Sequence, residues 1–110
     1  ALRHCAAWPR TLHPVYRERR DRVLSVLRSD GWSIPTPEMA LYLWLPLPER
    51  LRQQGLNDET LATRILQSSG VALTPGSGFG PAGRDWLRMA LVRPVDELEQ
   101  AAHRLLDALR

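Results

Sequence analysis

The stretch Leu73–Leu91, "LTPGSGFGPAGRDWLRMAL", sets Gly76, Gly78, Gly80 and Gly83 ahead of one arginine, Arg88, that stands between apolar residues. Gly78, Gly80 and Gly83 match G-x-G-x-x-G, the dinucleotide fingerprint, with "GVAL" before them as its candidate strand. That fingerprint works only when the last glycine opens a helix whose N-terminal amides meet a pyrophosphate. Here Leu87, Met89 and Leu91 alternate instead with Trp86, Arg88 and Ala90. Alternation of this kind predicts a strand, over 85–92. The glycines then form a loop between it and a strand over 71–74, and the nucleotide reading loses its mechanism. Arg88 is expected on the strand face opposite the leucines.

Upstream, "HPVYRERRDRVLSVLRSDGW" places Tyr16, Arg20, Val23, Leu24 and Leu27 at helical spacing, with Pro14 near the start and Gly31 past the end. The pattern predicts a helix over 14–29. Its charge run, Arg17 to Arg22, mixes signs and reads as a solvated face with i,i+4 pairs such as Glu18 with Arg22. Next, "SIPTPEMALYLWLPLPERL" holds about seven β-favouring residues between Pro35 and Pro37 on one side and Pro46 and Pro48 on the other. Leu41, Leu43 and Leu45 point one way, Tyr42 and Trp44 the other. Both faces read as covered, so this strand is expected to be central, with Tyr42 and Trp44 as packing residues.

In "NDETLATRILQSSG", Asn57 or Asp58 caps a helix, Asp58 and Glu59 complement its positive end, and Gly70 stops it. Leu61, Ile65 and Leu66 form its apolar stripe. Pro94 opens a last helix with Asp96, Glu97 and Glu99 early and Arg104 and Arg110 late. Its expected buried face is Val95, Leu98, Ala101, Ala102, Leu105 and Leu109. His103 reads as a surface or satisfied histidine. The order helix, strand, helix, strand, strand, helix predicts an α+β fold, a two-layer small domain with a short, partly antiparallel sheet packed against helices.

Composition narrows the chemistry. The 110 residues, 44% apolar, suit one domain with a modest core, and no apolar run approaches the ~20 residues of a membrane span. One cysteine, Cys5, forms no internal disulfide and reads as a buried inert thiol. With no signal-peptide pattern, the expected setting is a reducing cytoplasm, without membrane attachment. A start at Ala1 rather than methionine points to a natural beginning upstream.

All fifteen basic residues are arginine. The chain therefore supplies neither a Schiff-base lysine nor a Walker-type phosphate lysine. There is no G-x-S-x-G, no H-E-x-x-H and no cysteine pair, and His4, His13 and His103 are not spaced as a site. No catalytic residue, cofactor ligand or metal ligand is expected in this segment. With a net charge of +3 and no recognition-module motif, the preferred reading has no nucleic-acid partner. A basic nucleic-acid-binding α/β domain and a non-catalytic interaction domain remain the alternatives.

The segment "GVALTPGSGFGPAGRDWLRMAL", followed by an acidic-then-apolar helix, resembles the C-terminal part of the class I/II aminotransferases, pyridoxal-phosphate enzymes of fold type I. Their pattern there is a valine-containing strand, Pro-Gly-Ser-x-Phe-Gly, a glycine, and an arginine in a strand near the end. "YRERRDRVLSVL" resembles the family's Tyr-x-x-Arg-Arg-Asp helix. "PEMALYLWLPLP" resembles the strand written Pro-x-Gly-Ala-x-Tyr-x-Trp, with Met39 and Ala40 in place of the Gly-Ala pair. The resemblance covers residues 14 to 110. It implies that residues 1–110 are the C-terminal small domain of a larger enzyme, whose absent large domain holds pyridoxal 5'-phosphate and the Schiff-base lysine.

The resemblance assigns Arg88 to the α-carboxylate of an amino-acid substrate, because a planar guanidinium makes two parallel hydrogen bonds to a carboxylate and so fixes its orientation. The alternative for Arg88 is an exposed structural arginine. The glycines are expected to bring the loop backbone close to bound substrate. The implied reaction is transamination between an amino acid and a 2-oxo acid, by an enzyme that is a homodimer when complete. A diaminopimelate/lysine-pathway aminotransferase is one candidate subfamily, and a lyase or decarboxylase on the same fold would carry a similar tail.

Overall fold

The computed structural model of the protein describes residues 12–37 and 41–110. Helix α1 spans Leu12–Arg28. Pro14 falls in its first turn, where a missing N–H costs no hydrogen bond. Val23, Leu24 and Leu27 are its buried stripe. The chain turns at Gly31 (φ 88°), and the Trp32 indole N–H then donates to the Pro46 carbonyl at 2.8 Å. Strand β1, Tyr42–Pro46, follows. A short helix α2, Glu49–Gln53, was not anticipated, although Pro48 before it, Glu49 in its first turn and Gly55 (φ 87°) beyond it are ordinary start and stop signals.

Helix α3 spans Asp58–Ser69. Asn57 is its cap: Asn57 Oδ1 accepts from the Thr60 amide at 2.8 Å, and Thr60 Oγ1 accepts from the Asn57 amide at 3.0 Å. Gly70, left-handed at φ 77°, ends it. Strand β2 is only Thr74–Pro75, shorter than the expected 71–74 and shifted past it. Two 3-10 turns, Gly76–Phe79 and Pro81–Gly83, lead to strand β3, Trp86–Ala90. Helix α4, Val95–Leu109, closes the chain.

The result is the expected small α+β domain, with an antiparallel sheet in the order β1-β3-β2. The central strand is β3, however, and not β1. Its register sets Trp44 and Thr74 on either side of Arg88, and Leu45 opposite Leu87. Leu43, Leu45, Leu87 and Met89 project into the core, where Val23, Leu27, Ile65 and Leu105 of the helices meet them. Fully burying such a side chain contributes about 1.5–3 kcal/mol.

The other sheet face has no helix over it among the described residues. Tyr42 is 39% exposed, which corrects the expectation that both faces of β1 are covered. Periodicity assigns residues to faces, but coverage depends on how many layers pack. Similarly, Leu66 is half exposed and Ala62 takes its place in the buried stripe of α3.

The charge run of α1 is also not simply solvated. Arg22 reaches Glu99 of α4 at 2.8 Å, in place of the expected partner Glu18. Arg19 donates to the Leu91 carbonyl at 3.0 Å, and Arg20 to the Pro37 carbonyl at 3.2 Å. These two arginines of the Tyr-x-x-Arg-Arg-Asp helix thus tie α1 to the exit of β3 and to the segment before β1. The expectations for His4, Cys5, Met39 and Ala40 fall outside the described residues. Among those described, no helix is long and apolar enough to cross a membrane.

Candidate functional site

Alternation along β3 sends Leu87 and Met89 inward and leaves Trp86, Arg88 and Ala90 on the open face. Tyr42 is paired with Ala90, so it is the diagonal neighbour of Arg88 on that face, within reach of a long side chain. The guanidinium carbon of Arg88 lies 4.2 Å from the Tyr42 ring centroid and 4.6 Å from that of Phe79. Phe79 in turn meets Trp44 edge-on, with centroids 5.7 Å apart and planes at 85°. Arg88 Nε is buried and has no hydrogen-bond partner among the described residues. No carboxylate among them forms an ion pair with this arginine either.

A buried N–H without a partner carries its full desolvation cost, and a guanidinium cannot shed its charge to escape it. The group that relieves both is an anion with two oxygens in a plane, a carboxylate above all. Next to Phe79, an apolar cleft of about 400 Å³ is lined by Pro35, Trp44, Phe79, Ala82, Gly83 and Trp86. The expected site residue therefore sits in an aromatic surrounding. Arg84, four residues earlier, is exposed near the loop. Helix α4 places His103 at the surface, and no cluster of three metal-ligating side chains occurs among the described residues.

The loop between β2 and β3 is held by two devices. A Cβ on Gly76 would stand 2.2 Å from the Gly83 carbonyl oxygen, and one on Gly83 would stand 2.0 Å from that of Gly76. The close approach that demands glycine at these two positions is of the loop to itself. Gly83 also leads through Arg84 and Asp85 into a strand and not a helix, which removes the fingerprint reading.

The second device is Asp58, expected only as a helix-start charge. This residue is 2% exposed and accepts from the Ser77 amide at 2.9 Å and the Asp85 amide at 3.5 Å, clasping both ends of the loop. Burial pushes this carboxyl up. Hydrogen bonds from Ser77 and from the Asp85 amide outweigh it and hold the group below the usual carboxylate range. Nothing in its sequence position marks Asp58 for this, because both partners come from the loop 19 and 27 residues later. Tyr42 and Phe79 were missed for the same reason. For Tyr42 the signal was the strand register, and for Phe79, in the turn Gly76–Phe79, it was the closure of the loop onto the sheet.

Asp58→Asn is expected to cost about 1.5–3 kcal/mol at neutral pH, the range for hydrogen bonds to a charged acceptor. Since the folded pKa is depressed, the contribution of Asp58 is complete above its unfolded value of about 3.9 and is lost as pH falls through the folded value. Urea midpoints of the two proteins should therefore differ most at pH 7 and converge below about pH 4. A gap independent of pH would assign the loss to packing instead of charge.

The family model for aminotransferase class I and II matches residues 13–105. An LL-diaminopimelate aminotransferase of Oleidesulfovibrio alaskensis is 38% identical over 105 residues, covering 96% of this chain and 26% of that protein. Among solved structures, a probable N-succinyldiaminopimelate aminotransferase from Thermus thermophilus is 44% identical with a TM-score of 0.71, covering 86% of this chain and 24% of its own. The aromatic aminotransferase from Pyrococcus horikoshii is 30% identical with a TM-score of 0.76, covering 87% and 24%. The chain spans about a quarter of the length of these relatives. Because the matched span takes in the whole sheet, the glycine loop and Arg88, this chain belongs to the aminotransferase class I and II family.

Proposed function

We propose that residues 1–110 are the C-terminal, substrate-binding small domain of a larger pyridoxal-phosphate-dependent aminotransferase, which moves an amino group between an amino acid and a 2-oxo acid. The observation that carries this reading is the buried Nε of Arg88 on the open sheet face, which has no hydrogen-bond partner among the described residues. In this role Arg88 grips the substrate α-carboxylate with two parallel hydrogen bonds and orients the α-carbon. Tyr42, Phe79 and Trp44 keep water from the guanidinium, which strengthens the pairing.

The residues present fit the substrate half of such a site and not the cofactor half, because the chain has no lysine to bond the cofactor. Pyridoxal phosphate, when bound by the rest of the enzyme, supplies the electron sink that labilises the substrate α-proton. The small domain would close over the substrate and bring Arg88 to it. Two relatives named for diaminopimelate substrates support a substrate of that class, in lysine formation. By family likeness the complete enzyme is a cytoplasmic homodimer.

The test is Arg88→Lys in the complete enzyme, read as the preference for an amino acid over the amine that lacks its carboxylate. A collapse of that preference supports the reading, and an unchanged preference overturns it.

A further inference from the structure

The guanidinium of Arg88 is met by two rings that core formation does not require. Phe79 is 54% exposed and Tyr42 39% exposed, so burial in the core explains the position of neither. What they share is one cation, at 4.6 Å and 4.2 Å from their centroids, within the range where the face of a ring attracts a guanidinium. Phe79 is fixed from a second direction by its edge contact with Trp44. It is also carried on the loop that Gly76, Gly83 and Asp58 pin in place. Among the described residues these aromatic contacts hold the Arg88 head, and Nε has no hydrogen-bond partner.

We infer that Tyr42 and Phe79 are positioning residues for Arg88, and that the glycine loop serves to deliver the Phe79 ring to it. This rests on the proposed reading of Arg88 as the carboxylate-binding group. An acidic partner would fix the guanidinium equally well but would compete with the substrate for its fork. A ring face holds the cation through its π-system and leaves the N–H donors in the guanidinium plane free. Such preorganisation also spares the entropy of ordering a long side chain when the carboxylate arrives. Exposed aromatics around an arginine with no ion pair among the described residues are therefore the arrangement that keeps a charged fork both rigid and available.

The test uses the complete enzyme and single-turnover kinetics with two pairs of probes: L-glutamate with 4-aminobutyrate, which lacks only the α-carboxylate, and LL-diaminopimelate with cadaverine, which lacks both of its α-carboxylates. Tyr42→Leu and Phe79→Leu keep apolar bulk and remove the ring. Each is expected to weaken half-saturation for the amino acids by ~5- to 30-fold, with the limiting rate and the reaction of the carboxylate-free amines nearly unchanged. Tyr42→Phe keeps the ring and should behave like the parent. Thermal midpoints within a few degrees of the parent would exclude misfolding as the cause. Equal losses on amino acids and amines, or no change in half-saturation, would overturn the inference and leave the rings as packing groups. If Arg88→Lys removes the carboxylate preference while the leucine variants keep it, the positioning role fails and the reading of Arg88 stands. If Arg88→Lys changes nothing, the reading itself fails.

Discussion

Arg88→Lys lowers kcat/KM for amino-acid substrates of the complete enzyme by at least ~10- to 100-fold, and leaves carboxylate-free amines almost indifferent; this is the largest catalytic effect expected of any change in this chain. The size follows from a charge-assisted bond to a buried carboxylate, about 1.5–3 kcal/mol. Lysine keeps the charge but replaces a flat fork by a point donor, and its ammonium is more strongly hydrated, so it sits less well against the Tyr42 and Phe79 faces. Arg84→Lys is the control. Arg84 is exposed and lies before β3, so its replacement should change kcat/KM little. Equal losses for the two variants, or an equal loss of Arg88→Lys on amines, would mean that Arg88 holds the sheet and not the substrate.

The largest effect on stability is expected from Gly76→Ala. An alanine Cβ at this position meets the Gly83 oxygen at 2.2 Å and the Trp86 oxygen at 2.8 Å, both backbone atoms that cannot swing aside as a side-chain tip would. The upper end of overpacking costs applies, about 3 kcal/mol, visible as a lowered urea midpoint. Gly83→Ala strikes the same contact from the other side and should cost a similar amount, and the double variant should cost less than the sum. Gly78→Ala is the comparison: nothing lies within 4 Å of its Cβ, so its effect should stay within about 0.5 kcal/mol. Since the loop carries Phe79, Gly76→Ala should also weaken amino-acid binding in whatever fraction remains folded. A Gly76→Ala protein as stable as Gly78→Ala would show that the loop has another low-energy path.

Much of this was legible in the chain itself, wherever the cause is local. The alternation of Trp86 to Leu91 specified a strand and put Arg88 opposite the leucines, because successive side chains of a strand must point to opposite faces. Asn57, Gly70 and Pro14 marked helix ends through their own backbone chemistry. Local pattern also rejected the dinucleotide fingerprint, since a strand follows Gly83.

Only the tertiary structure decided the remainder. It made β3 the central strand and left one sheet face open, so that Tyr42, read as a packing residue, lies partly exposed beside Arg88. It brought Phe79 onto the same guanidinium, set Gly76 against Gly83, and turned Asp58 from a helix-start charge into the clasp of the loop. The physical reason is the same in each case. A period assigns a side chain to a face, whereas its neighbours there depend on strand register and loop closure, which join residues far apart in sequence and are set by the packing of the whole domain.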